Sequence, residues 1–93
     1  MPDTRKQLLD GLADARTVYL REARAYQQAA AAVGAAHVRL AEAHVSATDR
    51  ATVIVAARDS ARADDDFNRA CDRMDRAYTT WLEYAAETEV TRG

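Results

Sequence analysis

Apolar residues recur at every seventh position along most of this chain, in two series that each keep their phase for about five heptads. A seven-residue apolar period is typical of α-helices that pack along one another as in a coiled coil. The pattern predicts an all-α protein with two long helices. The first series comprises Leu12, Tyr19, Tyr26, Val33, Leu40 and Ala47, and the second comprises Val53, Ser60, Phe67, Met74, Trp81 and Thr88.

A second core position accompanies each series, as an interface between two helices requires. We place it three residues before each member of the first series and four residues after each member of the second. The positions predicted in this way are Leu9, Arg16, Ala23, Ala30, His37 and His44 in the first helix and Ala57, Asp64, Cys71, Tyr78 and Ala85 in the second. Arg16 and Asp64 are charged interruptions of this pattern.

The first series gives way to the second at Ser46-Ala47-Thr48-Asp49, where Ser, Thr and Asp are residue types that cap helix N-termini. We predict the first helix over about residues 3–45 and the second over about 49–90. So short a connection makes the two helices antiparallel neighbours. The chain, residues 1–93, is therefore expected to be a single helical-hairpin domain.

An antiparallel hairpin that turns near residue 47 determines which residues face each other. Their numbers add up to about 95, and the core positions meet near 93 and 97. Tyr26 then lies opposite Phe67, and Tyr19 lies opposite Tyr78. An alternative with three helices breaks the second helix within "RDSARADDDF" and begins a third at Phe67, because an aspartate there is a good N-terminal cap.

The uncharged stretch "QQAAAAVGAAHV", residues 27–38, lies in the middle of the first helix. Its small residues predict a close approach of the helices, and Gly34 marks either that contact or a bend. Opposite this stretch, Ser60 and Asp64 are polar residues at core positions. A polar core residue often sets the register and oligomeric state of a coiled coil, so we assign Ser60, Asp64 and Gly34 as candidates for that role.

The residues predicted to form the core and the interfaces are Leu12, Tyr19, Tyr26, Val33, Leu40, Val53, Phe67, Cys71, Met74, Tyr78 and Trp81. Further apolar residues lie outside both series: Leu8, Leu20, Val38, Val45, Ile54, Val55 and Leu82. One hairpin has a single interface in which to bury apolar surface, and alanines contribute little to it. We therefore expect a homodimer in which two hairpins form an antiparallel four-helix bundle.

Charge and composition argue against several functions. Thirteen basic and fifteen acidic residues are interspersed, and no basic patch suited to nucleic acid results. The longest uncharged run has 12 residues, short of the roughly 20 that span a bilayer. The opening "MPDTRKQLLD" lacks the apolar region of a signal peptide, and the single Cys71 fits a reducing compartment. We expect a cytoplasmic protein that binds neither nucleic acid nor membrane.

Few residues suggest chemistry. His37 and His44 stand seven residues apart on one helix, about 10.5 Å along its axis, which is too far for one metal ion. The run Asp64-Asp65-Asp66 fits a solvated helix face with pairs such as Asp65 with Arg69. Cys71 is predicted to be a small buried apolar residue. We therefore expect no catalytic residue, no metal site and no cofactor.

These observations favour a non-enzymatic helical-hairpin protein that self-associates and acts as a scaffold or binds another protein. Two alternatives share its length and helical character. A small all-α enzyme similar in architecture to the helical chorismate mutases needs a set of inward-facing basic side chains, whereas here Arg16 is the one arginine or lysine in the predicted core. A small secreted hairpin that resembles the WXG100 type is the other alternative. The Trp-x-Gly turn of that type is absent, because Trp81 lies late in the second helix and Leu82 follows it.

Overall fold

Two α-helices make up the chain in a computed structural model that describes residues 4–46 and 48–92, and the side chains of 4–46 and 48–90. Helix α1 spans Thr4–Ser46 and helix α2 spans Arg50–Arg92. No strand occurs in these described ranges. The prediction of an all-α, two-helix hairpin is confirmed.

The ends of both helices lie within two residues of their expected positions. The predicted start at residue 3, and Ala47 at the end of the first series, lie outside the described residues. Ser46 belongs to the last turn of α1, where its hydroxyl donates to the carbonyl of Glu42 at 2.7 Å. The cap of α2 is therefore provided by Asp49, which directly precedes the helix.

Helix α2 is continuous through the acidic run, so the three-helix alternative is wrong. The three carboxylates of Asp64, Asp65 and Asp66 lie on exposed positions and leave the helix backbone uninterrupted. Asp66 accepts a hydrogen bond from Arg69 at 2.9 Å, which replaces the expected pair of Asp65 with Arg69. An ion pair three residues apart supports a helix, and none of these aspartates acts as a cap.

The two helices divide into two compact units. One unit is built from the first part of α1 and the last part of α2, and the other from the rest of both helices and their connection. The terminal unit comprises Met1–Arg24 and Asp72–Gly93. The turn unit comprises Ala25–Cys71. Each has its own ring contacts and its own buried residues, and each is described by itself below.

The second core position differs from the predicted one by a single residue in both helices. Among the described residues, the buried hydrophobic ones are Ala15, Ala36, Ala70 and Ala77, each directly before a residue we had placed in the core. We call the row they belong to the alanine series. Its members point inward along both helices and are Ala15, Ala29, Ala36, Ala43, Ala56, Ala63, Ala70 and Ala77, with Glu22 as the charged exception.

The physical reason is the cost of burying charge. The predicted row would have placed Arg16, His37 and Asp64 between the helices, and burial of an unpaired charged group is expensive. The alanine series instead places methyl groups there and leaves all three side chains exposed. Alanine also keeps full helix propensity, so the choice costs the helices nothing.

Candidate interaction surface

The two heptad series recognised in the sequence, one on α1 and one on α2, take up inward positions. We call the two together the first core series. The structure leaves nine of its predicted members half-buried: Leu12, Tyr19, Tyr26, Val33, Leu40, Val53, Phe67, Met74 and Trp81. Ser60 is buried, and it is the one buried polar residue in the described part of the chain. Cys71 is half-buried beside the fully buried Ala70. The first core series thus supplies the large side chains of the hairpin, and the alanine series supplies the small ones.

In the turn unit, the rings of Tyr26 and Phe67 pack across the two helices with their centroids 5.2 Å apart. This contact was predicted from the hairpin register and is confirmed. The ring planes are tilted by 37°. Aromatic pairs at such separations stabilise a fold by more than the apolar area that they bury.

In the terminal unit, three aromatic rings form one cluster. The ring of Tyr19 lies 5.4 Å from that of Tyr78, which confirms the predicted contact, and 5.3 Å from that of Trp81. Tyr78 and Trp81 also meet edge to face at 6.1 Å. Tyr78 is nevertheless exposed, because it directly follows the buried Ala77 and lies at the margin of the interface. Its ring is therefore held by two neighbours and still offers apolar surface to solvent.

In the turn unit, the positions that directly follow the alanine series meet on one side of the two helices. His37 follows Ala36 and Asp64 follows Ala63, and the His37 Nε2 and Asp64 Oδ1 atoms are 3.1 Å apart across the helices. Asp64 had been predicted at a core position opposite Val33, and that prediction is wrong. The Asp64 carboxylate is exposed to solvent and pairs with the exposed His37 imidazole. The helix pair therefore avoids the cost of burying this charge.

In the terminal unit, large apolar side chains lie on the side of the helix pair where Tyr78 follows Ala77. Leu9 and Leu20 on α1 are 43% and 45% exposed, and Tyr78 and Leu82 on α2 are 44% and 48% exposed. Leu9 and Leu20 are three helical turns apart, about 16 Å, and so project from the same side of α1. We call this surface the outer apolar face. Its members are Leu9, Ala13, Leu20, Ala23, Tyr78, Leu82 and Ala85.

The two glycines within the helices have opposite surroundings. Gly34 is exposed, and no described atom of another part of the chain lies within 4 Å of a Cβ built on it. Of the two alternatives for Gly34, the close contact is therefore wrong within the hairpin, and the bend stays a prediction. The close approach occurs at Gly11, where a Cβ would overlap the ring of Tyr84. Sequence reasoning missed this contact, although the register places Gly11 and Tyr84 opposite each other.

A single carboxylate occupies the alanine series. The side chain of Glu22 is only 17% exposed, and its Oε2 accepts from Arg73 Nε at 3.3 Å across the helices. Arg21 Nε lies 3.7 Å from the other carboxylate oxygen. Glu22 and Arg73 line an open groove of about 310 Å³ whose further lining residues are Ala15, Val18, Arg76, Ala77 and Thr80. Arg76 Nε donates to the backbone carbonyl of Asp72 at 3.3 Å.

Asp49 caps α2 with two hydrogen bonds. Its Oδ1 accepts from the backbone N–H of Thr52 at 2.7 Å and from the Thr52 hydroxyl at 2.8 Å. The backbone hydrogen bond first, and then the hydroxyl, hold the pKa of the Asp49 carboxyl below its ordinary value of 3.8. The cap therefore satisfies a backbone donor that the first turn of a helix leaves free.

Residues 4–46 and 48–92 contain no group of three His, Cys, Asp or Glu side chains arranged to hold a metal ion. Within the same ranges, neither helix has an apolar stretch of the length that crosses a bilayer. Cys71 has a free thiol.

Compared with known proteins, the chain matches no protein-family model, no curated protein and no solved structure.

Proposed function

We propose that this chain is a non-enzymatic interaction protein, a helical hairpin that self-associates as a homodimer in a four-helix bundle and serves as a scaffold or docking partner for another protein. One observation carries the proposal. Large apolar side chains lie on the surface, among them Leu9, Leu20, Tyr78 and Leu82, while the buried hydrophobic residues in the described part of the chain are four alanines.

The energetics support association. Full burial of a leucine or similar side chain is worth about 1.5–3 kcal/mol, whereas an alanine methyl contributes only about 0.8 kcal/mol. A hairpin whose most buried row is alanine therefore gains little from its own interface. A second hairpin on the outer apolar face covers the leucines and the exposed side of Tyr78, and this burial adds to the stability of the fold.

The sequence pattern supports the same conclusion. A helix pair that needs only one interface shows two apolar positions per heptad, whereas helices of a bundle show three. Here the first core series, the alanine series and the positions after it are all largely apolar. The third position is where Leu9, Ala23, Cys71, Tyr78 and Ala85 lie. Cross-helix contacts described at this position are the pair of His37 with Asp64 and the ring contact of Tyr78 with Tyr19.

Sedimentation equilibrium tests the proposal, combined with thermal unfolding followed by circular dichroism from low micromolar to near-millimolar concentration. A dimer mass and a melting temperature that rises with concentration are expected, since association stabilises the folded chain by mass action. A well-folded monomer with a melting temperature independent of concentration would contradict self-association.

The docking role requires a separate experiment. The tagged wild-type chain and a variant impaired in self-association are used to capture proteins from cells of the source organism, and each captured protein is then purified and titrated directly. A purified partner that binds with a defined stoichiometry supports the scaffold role. The free thiol of Cys71 supports a cytoplasmic location, which cell fractionation tests.

A further inference from the structure

The outer apolar face of the terminal unit has two charged residues between its apolar members. Arg16 lies between Leu9 and Leu20 on α1, and Asp75 lies one turn before Tyr78 on α2. Both side chains are exposed, and within the described residues neither has an ion-pair partner. The face thus combines a large apolar area with one cation and one anion that are unpaired.

The register of the terminal unit determines where the two charges lie. Gly11 meets Tyr84 and Glu22 meets Arg73, and in both pairs the residue numbers add up to 95. By this register Asp75 lies level with Leu20, which is one helical turn along α1 from Arg16. The cation on α1 and the anion on α2 are therefore separated by about 6 Å along the helices.

This arrangement is complementary to itself. A two-fold axis parallel to the helices places the α1 segment of one copy over the α2 segment of the other, at the same level. Arg16 of each copy then lies about one turn from Asp75 of the second copy, within reach of an extended arginine side chain. A two-fold interface repeats every contact, so two such ion pairs form.

We propose that a second copy of this chain covers the outer apolar face of the terminal unit, with Arg16 of each copy paired to Asp75 of the other. The inference rests on the proposed self-association and specifies its surface and orientation. Leu9 and Leu20 of one copy pack against Leu82 and Tyr78 of the second. The Tyr78 ring is already held by Tyr19 and Trp81, so its burial costs little side-chain entropy.

A second copy fits this face better than an unrelated partner because the face supplies its own counter-charge. A partner of one sign would leave either Arg16 or Asp75 next to a like charge or desolvated, which is unfavourable.

Charge reversal tests the proposal in the full-length chain. Arg16→Asp and Asp75→Arg each place like charges across the interface and are expected to raise the dimer dissociation constant about tenfold or more. The double variant restores the pair with its sign inverted and is expected to return to within about threefold of wild type. Sedimentation equilibrium gives the dissociation constants, and circular dichroism checks the helicity of each variant.

Two matched controls separate this contact from general charge effects. Arg24→Asp and Asp14→Arg make the same chemical changes at exposed positions of α1 that do not follow the alanine series or belong to the outer apolar face. They are expected to leave the dissociation constant within about twofold of wild type.

Each result has a definite meaning. A dimeric wild type whose single variants dimerise normally, or whose double variant is as weak as the single ones, overturns the proposed surface and leaves self-association intact. A monomeric wild-type chain overturns both. Restoration by the double variant supports the proposal even if one single variant also lowers helicity.

Discussion

The ring of Tyr84 on α2 occupies the space where a Cβ on Gly11 of α1 would lie. Tyr84 is half-buried, and it stands at the position that alanines occupy elsewhere on α2. A tyrosine at this position needs the opposite helix to be free of a side chain, and Gly11 provides that space. At this level of the terminal unit, a large residue on α2 is thus matched by the smallest residue on α1.

The two helical glycines are predicted to respond differently to the same change. Gly34→Ala is expected to raise the free energy of unfolding by about 0.5–1 kcal/mol, because alanine favours the helix and nothing described stands near the new methyl group. Gly11→Ala is expected to lose this gain, since the Tyr84 ring must move. Urea unfolding of the two variants gives the comparison.

A variant of Tyr84 supplies the control for the glycine pair. In a Tyr84→Ala background, Gly11→Ala is expected to stabilise by about as much as Gly34→Ala does in the wild type, because the ring is gone. Equal gains from both glycine changes in the wild-type chain would show that Tyr84 moves aside without cost.

The alanine series is predicted to be intolerant of larger side chains. Ala36 is 2% exposed, and Ala36→Leu is expected to destabilise the chain by about 1–3 kcal/mol, because the added atoms have no room between the helices. The neighbouring Ala35 is exposed, and Ala35→Leu is expected to change stability by less than about 0.5 kcal/mol. Thermal unfolding distinguishes them, and similar losses at both positions would contradict the inward placement of Ala36.

The ion pair of Glu22 and Arg73 is predicted to be asymmetric. Arg73→Ala leaves the mostly buried carboxylate of Glu22 with only the more distant Arg21, and a loss of about 0.5–1 kcal/mol is expected. Glu22→Ala extends the alanine series and leaves an arginine that is half exposed, so a change within about 0.5 kcal/mol is expected. Chemical unfolding of both variants and of the double variant measures this; a larger loss from Glu22→Ala would contradict it.

The Asp49 cap is predicted to make stability depend on pH. The folded-state pKa lies below 3.8, so the contribution of the carboxylate is complete above that pH and is lost as the pH falls through the lower folded value. Asp49→Asn keeps an acceptor oxygen without the charge, so its melting temperature is expected to lie below that of wild type at neutral pH.

The acid limb provides the check on this assignment. The difference in melting temperature between wild type and Asp49→Asn should shrink below pH 3.8. Asp49→Ala, which has no acceptor, is expected to be the least stable of the three at neutral pH. A difference between wild type and Asp49→Asn that is the same at neutral and acid pH would rule out the titration of this carboxyl as its cause.

Much of the fold was predictable from residue spacing. A seven-residue period specifies a helix and its inward side, and the short connection between the two series leaves an antiparallel hairpin as the outcome. The register then predicted the contacts of Tyr26 with Phe67 and of Tyr19 with Tyr78, both of which occur. These features are local or follow from chain geometry, and one sequence contains that information.

The identity of the second core position was not predictable in the same way. Ala36 and His37 are adjacent in the chain, and either can face the partner helix with a small rotation of α1. The choice between the two rotations depends on the packed helix pair. One rotation buries Arg16, His37 and Asp64, and the other buries the alanines. The seven-residue period in the sequence determined the helical hairpin. The free-energy cost of burying charge in the packed structure decided which sides of the helices meet and which apolar residues stay on the surface.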